Sequence, residues 1–116
     1  MADLLGTFEQ SVLLSILGLG SDAYGRAILN QVQESLERDV SAGAVYSTLE
    51  RLEASGLVRS RLAGGSAVRG GRARRYYTVS AEGRRALTDT RRALASIWEN
   101  AQLPIKTIYR PVQEGR

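Results

Sequence analysis

Six arginines fall between positions 59 and 76: Arg59, Arg61, Arg69, Arg72, Arg74 and Arg75. No acidic residue lies among them, and the 116-residue chain has a formal net charge of only +4. This short segment therefore holds more positive charge than the excess of the whole protein. A guanidinium is permanently charged and presents a planar fork of donors, which pairs bidentately with a phosphate or a guanine edge. The chemistry on offer is anion and nucleic-acid recognition. All but one of the 16 basic residues are arginine, the exception being Lys106. Codon bias explains that overall ratio equally well, but it does not explain the clustering.

Catalytic chemistry finds little footing. Histidine and cysteine are absent. That removes the imidazole base, the thiolate nucleophile and the usual soft metal ligands. The acidic residues are dispersed without metal-ligand spacing. Gly18 and Gly20 with Gly25 miss the dinucleotide-binding spacing, and there is no GxxxxGK[ST] loop. The expectation is a protein that is not an enzyme and carries no cofactor and no metal.

The arginines need elements to position them. Hydrophobic content of 43% and charged content of 24% fit one ordinary globular domain. The first ten residues lack a basic leader, and no apolar run approaches the ~20 residues of a membrane span. A cytoplasmic location without membrane association is expected. Four helical patterns and one hairpin follow along the chain. In the first, Phe8, Val12 and Ile16 recur every four residues, flanked by Leu13 and Leu17. Thr7 is the expected N-cap, with Gln10 completing a capping box, and Gly18 and Gly20 are the expected stop. The second pattern places Tyr24, Ile28, Val32 and Leu36 on one stripe after a cap at Ser21 or Asp22. Gly25 allows it to approach the first helix closely.

A third helix is capped by Ser41, buries Val45, Leu49 and Leu52, and stops at Gly56. Its outer face then carries Ser41, Ala42, Gly43, Tyr46, Ser47, Glu50 and Arg51. Small residues at its start permit close approach of a partner, and its N-terminal N–H groups suit phosphate. Glu50 and Glu53 would repel phosphate, so they are expected to point away or to pair with arginines of the same helix. The hairpin has strands Val58 to Leu62 and Arg74 to Val79, joined by a glycine-rich tip. Of adjacent Tyr76 and Tyr77, alternation sends one inward and one outward. Tyr77 is assigned to DNA, with Arg69, Arg72, Arg74 and Arg75.

The last helix starts at Ser80 and runs to about Ala101, ahead of Pro104. Leu87, Thr90 or Arg91, Leu94, Ile97 or Trp98, and Ala101 form a heptad-like seam. With nothing after it to cover the seam, Leu87, Leu94, Ile97, Trp98 and Ala101 are expected to meet a second copy. Packing on the first helix is the alternative. Trp98, the only tryptophan, is foremost a packing residue; at a dimer axis it is also a candidate platform for a flat hydrophobic effector.

The segments GAVYSTLERLEASGLV (43–58), RGGRARRYYTVSAEGRRAL (69–87) and AYGRAILNQV (23–32) resemble the PadR family of bacterial transcriptional regulators, over about Leu4 to Asn100. Ala42 departs from the proline that opens the third helix in many members. The resemblance implies a mainly α fold with a small β-hairpin. It corresponds to a winged helix-turn-helix (1–79), a dimerisation helix (80–103) and a tail (104–116), as in the compact subgroup. It further implies a homodimeric repressor of double-stranded DNA operators with dyad symmetry, answering to a small hydrophobic effector. The competing expectation is a winged-helix protein-interaction module that binds no DNA.

Overall fold

The computed structural model describes residues 4–64 and 73–101. The hairpin tip with Arg69 and Arg72, and the tail from residue 102 onward, lie outside the described residues. The order of elements is α1 (Thr7–Leu19), a 3-10 turn (Gly20–Asp22), α2 (Gly25–Leu36), α3 (Ala42–Ala54), β1 (Val58–Gly64), β2 (Ala73–Val79) and α4 (Ala81–Ala101). The fold is mainly helical with one antiparallel hairpin, as expected. α1, α2 and α3 enclose a core of Val12, Leu13, Ile16, Ile28, Val32, Val45, Leu49 and Leu52, closed below by Val58 and Val79.

Helix ends follow local chemistry, with two departures from expectation. α1 is capped at Gly6 rather than Thr7, and the Glu9 carboxylate accepts the Gly6 N–H at 3.0 Å. Gln10 instead donates to the Leu5 carbonyl at 3.1 Å. Gly18 lies within α1, and Gly20, at φ 60°, ends it. α2 starts later than a cap at Ser21 or Asp22 would place it, because Ala23 and Tyr24 are drawn to the hairpin. Tyr24 forms a β-bridge with Tyr76, and the Tyr77 N–H donates to the Ala23 carbonyl at 2.9 Å. Tyr24 is thus an extended residue at the wing, not a member of the helical stripe.

α3 begins as expected, with the Ser41 hydroxyl accepting the Ala44 N–H at 3.0 Å. It ends with the Leu57 N–H bonded to the Leu52 carbonyl and Gly56 at φ 81°, a left-handed stop that glycine adopts without strain. The hairpin pairs Val58 with Val79, Arg61 with Tyr76 and Gly64 with Ala73, so each strand is longer than expected. α4 is capped by Ser80, whose hydroxyl accepts the Gly83 N–H at 3.0 Å and donates to the Gly56 carbonyl at 2.7 Å. The Ser80 N–H also donates to the Leu57 carbonyl. These bonds fix the start of α4 to the α3–β1 turn.

Candidate nucleic-acid interface

Antiparallel pairing sorts the arginines of the hairpin onto two faces. Arg75, Tyr77 and Val79 share one face with Ser60 and Val58, because side chains alternate along a strand and match across the pair. Arg74 and Tyr76 share the other face with Arg59 and Arg61. The first face turns to α3. There Arg75 Nη1 donates to Ser60 Oγ at 3.0 Å, and Ser60 Oγ donates to Glu53 Oε2 at 2.7 Å. Glu53 therefore serves the wing rather than an arginine of its own helix.

The two tyrosines fall on opposite faces of the hairpin, as alternation requires. Tyr77 is the inward one, half-buried against the core. Burial pushes its phenol above the ordinary tyrosine range; Arg75 works in the other direction, and Glu53, Tyr46 and Glu50 add to the rise. Tyr76 sits on the opposite face. Its ring meets Tyr24 edge-on, with centroids 5.8 Å apart and planes at 66°. Arg74 lies over Tyr24 at 4.1 Å from the ring centroid, and Arg61 lies over Tyr76 at 5.4 Å.

On α3, Ser41, Ala42, Gly43, Tyr46, Ser47, Glu50 and Arg51 are all exposed, as their positions off the apolar stripe require. Ser47 Oγ donates back to the Ala44 carbonyl at 3.2 Å. Arg51 forms the one ion pair found among the described residues, to Glu9 of α1 at 3.4 Å. The Tyr46 ring occupies the space beside Gly25, where an added Cβ would come within 2.7 Å of it. Gly25 therefore serves the approach of α3 rather than that of α1. A groove of about 430 Å3 runs between these elements, lined by Tyr24, Gly25, Arg26, Tyr46, Arg74, Arg75 and Tyr77. Three guanidiniums and three phenols face it, and no carboxylate is among its lining residues.

Tyr24, Arg26 and Ser60 were not singled out by the sequence. Tyr24 fitted the four-residue spacing of α2 and was absorbed into its stripe. The available signal was the Tyr-Gly pair itself, a large ring beside a residue that leaves room for another.

The seam of α4 splits in two. Gly83, Ala86 and Thr90 are buried within the subunit, and Thr90 Oγ1 accepts the Leu5 N–H at 3.0 Å. Leu87 packs partly against the core of the chain itself. Beyond Thr90 no residue of the helix is buried. Leu94 is 41% exposed, Ile97 58% and Trp98 44%. A groove of about 530 Å3 between α1 and α4 is lined by Leu14, Leu17, Leu87 and Leu94, among others.

Three packed helices, the third presented beside an arginine-bearing hairpin, define a winged helix-turn-helix with an added C-terminal helix. The chain belongs to the PadR-like family of transcriptional regulators, whose model matches residues 13–89. It is 50% identical over 58 residues to the transcriptional regulator Rv3488 of Mycobacterium tuberculosis. That match covers 50% of each protein, so the chain spans about half the length of this curated relative. Among solved structures it is similar to a PadR family transcription regulator from hypervirulent Clostridium difficile, at 26% identity and a TM-score of 0.61, over 79% of this chain and 92% of that one. It is also similar to part of the Aeropyrum pernix Orc1 protein in complex with DNA, at 27% identity and a TM-score of 0.59, over 74% of this chain and 23% of that one. The family is one of transcriptional regulators, not enzymes. Among the described residues no helix is long and apolar enough to cross a membrane.

Proposed function

We propose that the chain is a sequence-specific repressor that binds double-stranded DNA as a homodimer in the cytoplasm. The observation that carries this reading is the acid-free groove, where the exposed face of α3 meets the wing arginines. Ser41, Ala42, Gly43, Tyr46 and Ser47 enter the major groove, and Arg51 reaches a flanking phosphate. Arg74 and Arg75, with Arg69 and Arg72 at the tip, take phosphates or the minor groove. Tyr77 holds the wing on the core and offers at most its hydroxyl edge. That the similar Orc1 protein is in complex with DNA supports a DNA partner.

The protruding half of α4 pairs with that of a second copy through Leu94, Ile97, Trp98 and Ala101, with Leu87 at the inner edge of the contact. The exposure of three large apolar side chains on one helix end supports this, since such a patch is usually an interface. Two-fold symmetry sets the recognition helices about one DNA turn apart, roughly 34 Å. A flat hydrophobic effector stacked near Trp98 changes that spacing and releases the operator.

Selection from a random duplex library, repeated at low and high salt, tests the reading. A dyad-symmetric site that survives moderate salt is the expected result. Binding that is independent of sequence and vanishes with salt would leave a non-specific basic protein. No binding at low salt would favour a winged-helix module that docks on an acidic protein.

A further inference from the structure

The face of the wing turned toward Tyr24 carries Arg59, Arg61 and Arg74 and no acid, and two of these three arginines lie over tyrosine rings. Arg61, Tyr76, Tyr24 and Arg74 form a continuous row, with a guanidinium over each outer ring face and the two half-buried phenols meeting edge-on between them. The tyrosines are held by backbone, not by chance contact: Tyr24 bridges Tyr76, and the next residue of β2 bonds to Ala23. Arg61 stands directly opposite Tyr76 in the strand register. Both arginines are exposed, and among the described residues neither is paired with a carboxylate.

A ring face attracts the flat side of a guanidinium and leaves its N–H edge unoccupied. Stacking therefore fixes where that edge points without consuming its donors. A carboxylate partner would fix the position equally well, but would neutralise the charge and compete with phosphate. We propose that Tyr24 is a positioning residue for DNA binding, holding Arg74 at the mouth of the groove so that its donors meet a backbone phosphate preorganised. The Tyr76–Arg61 pair does the same further along the wing. The inference rests on the DNA-binding reading above and deepens it: Tyr24 acts through Arg74 and does not itself touch DNA.

The consequence is a separation of affinity from charge. Losing the platform leaves the cation in place, so the number of counterions released on binding is unchanged, while the arginine must be ordered during binding. The test uses the full chain and its selected operator duplex, titrated over a range of salt concentrations. Tyr24→Leu is expected to bind about three- to fivefold more weakly with an unaltered salt slope. Tyr24→Phe keeps the ring and should bind as the unaltered protein does. Arg74→Ala should lower the slope by about one unit, and adding Tyr24→Leu to it should cost nothing more. Arg74→Lys, an exposed change that keeps the charge, should lose affinity at constant slope.

An additive loss in the double variant would overturn the inference, and so would a Tyr24→Phe loss equal to that of Tyr24→Leu, which would mean a direct hydroxyl contact. If Tyr24→Leu fails to fold, Tyr24→Met takes its place in the same double-variant comparison with Arg74→Ala, where an additive loss again overturns the inference. Failure of the unaltered protein to bind any duplex would instead refute the DNA-binding reading, and this inference with it.

Discussion

Gly83 offers a perturbation whose sign separates helix propensity from packing. It lies in the first turn of α4, where an alanine is ordinarily the better residue by about 1 kcal/mol. Here the added Cβ would collide with the Leu57 carbonyl oxygen and come within 2.7 Å of Val79 Cγ1. The carbonyl is backbone at the end of the α3–β1 turn, and it accepts the Ser80 N–H at 3.0 Å. It cannot swing aside as a side chain would. Overpacking of this kind costs about 1–3 kcal/mol, and weakening the Ser80–Leu57 bond and its neighbour at Gly56 adds roughly 1 kcal/mol. After the gain in propensity, Gly83→Ala should destabilise the fold by about 1–3 kcal/mol. In a domain of this size that lowers the melting temperature by roughly 4–12 °C. Thermal unfolding followed by circular dichroism, at matched protomer concentration, reads the change. Gly18→Ala is the internal control. It lies in α1 with nothing within 4 Å of an added Cβ, so it should be neutral or stabilising by up to about 1 kcal/mol. A Gly83→Ala protein that melts higher than the parent would refute the account of how α4 is seated.

Three further outcomes are expected. Ser41→Ala removes the hydroxyl that accepts the Ala44 N–H and should cost about 1 kcal/mol in denaturant titration; an unchanged midpoint would mean that water satisfies the donor equally well. Burial raises the Tyr77 phenol above its ordinary value of 10.0, so the fold favours the protonated form. Stability should be level below about pH 10 and fall as pH rises through the folded-state value. Tyr77→Phe should flatten that alkaline decline, as measured by the urea midpoint on either side of pH 10. Leu94→Glu places a charge on the exposed end of α4 and should shift sedimentation from dimer to monomer, with a melting temperature unchanged at low concentration. A persistent dimer would move the interface elsewhere.

Elements with one dominant periodicity were legible in the sequence. The core stripe of α3, its Ser41 cap and its Gly56 stop each need only neighbours within one or two turns, and all three stand as read. The seam of α4 was visible as a repeat, but its division was not. Whether Leu87 faces α1 or another subunit depends on how far α1 reaches along α4, which is a tertiary distance. Tyr24 failed for a related reason. Its four-residue spacing to Ile28 fits a helix, and only pairing with a strand about fifty residues later pulls it into extended backbone. Which of Tyr76 and Tyr77 packs on the core was not legible either, because alternation fixes that one of two neighbours faces inward without fixing which; the register of Val58 with Val79 decides it.

The acids beside the arginines illustrate what the sequence could not rank. Read alone, Glu50 and Glu53 on the outer face of α3 oppose a phosphate partner. The structure gives Glu53 a partner through Ser60, and that hydroxyl in turn holds Arg75. Glu9, on another helix, holds Arg51. Both contacts are exposed, so each stabilises the fold by no more than about 1 kcal/mol. Their larger effect is on geometry, because a restrained arginine loses less freedom on meeting an anion than a free one does. Arg74 and Arg61 are restrained by ring faces instead. These four arginines thus fall into two kinds: Arg51 is paired with a carboxylate and Arg75 is linked to one through Ser60, whereas Arg74 and Arg61 rest on ring faces alone. The second kind should carry the steeper part of the salt dependence, and the first should matter more for the orientation of α3 against the wing.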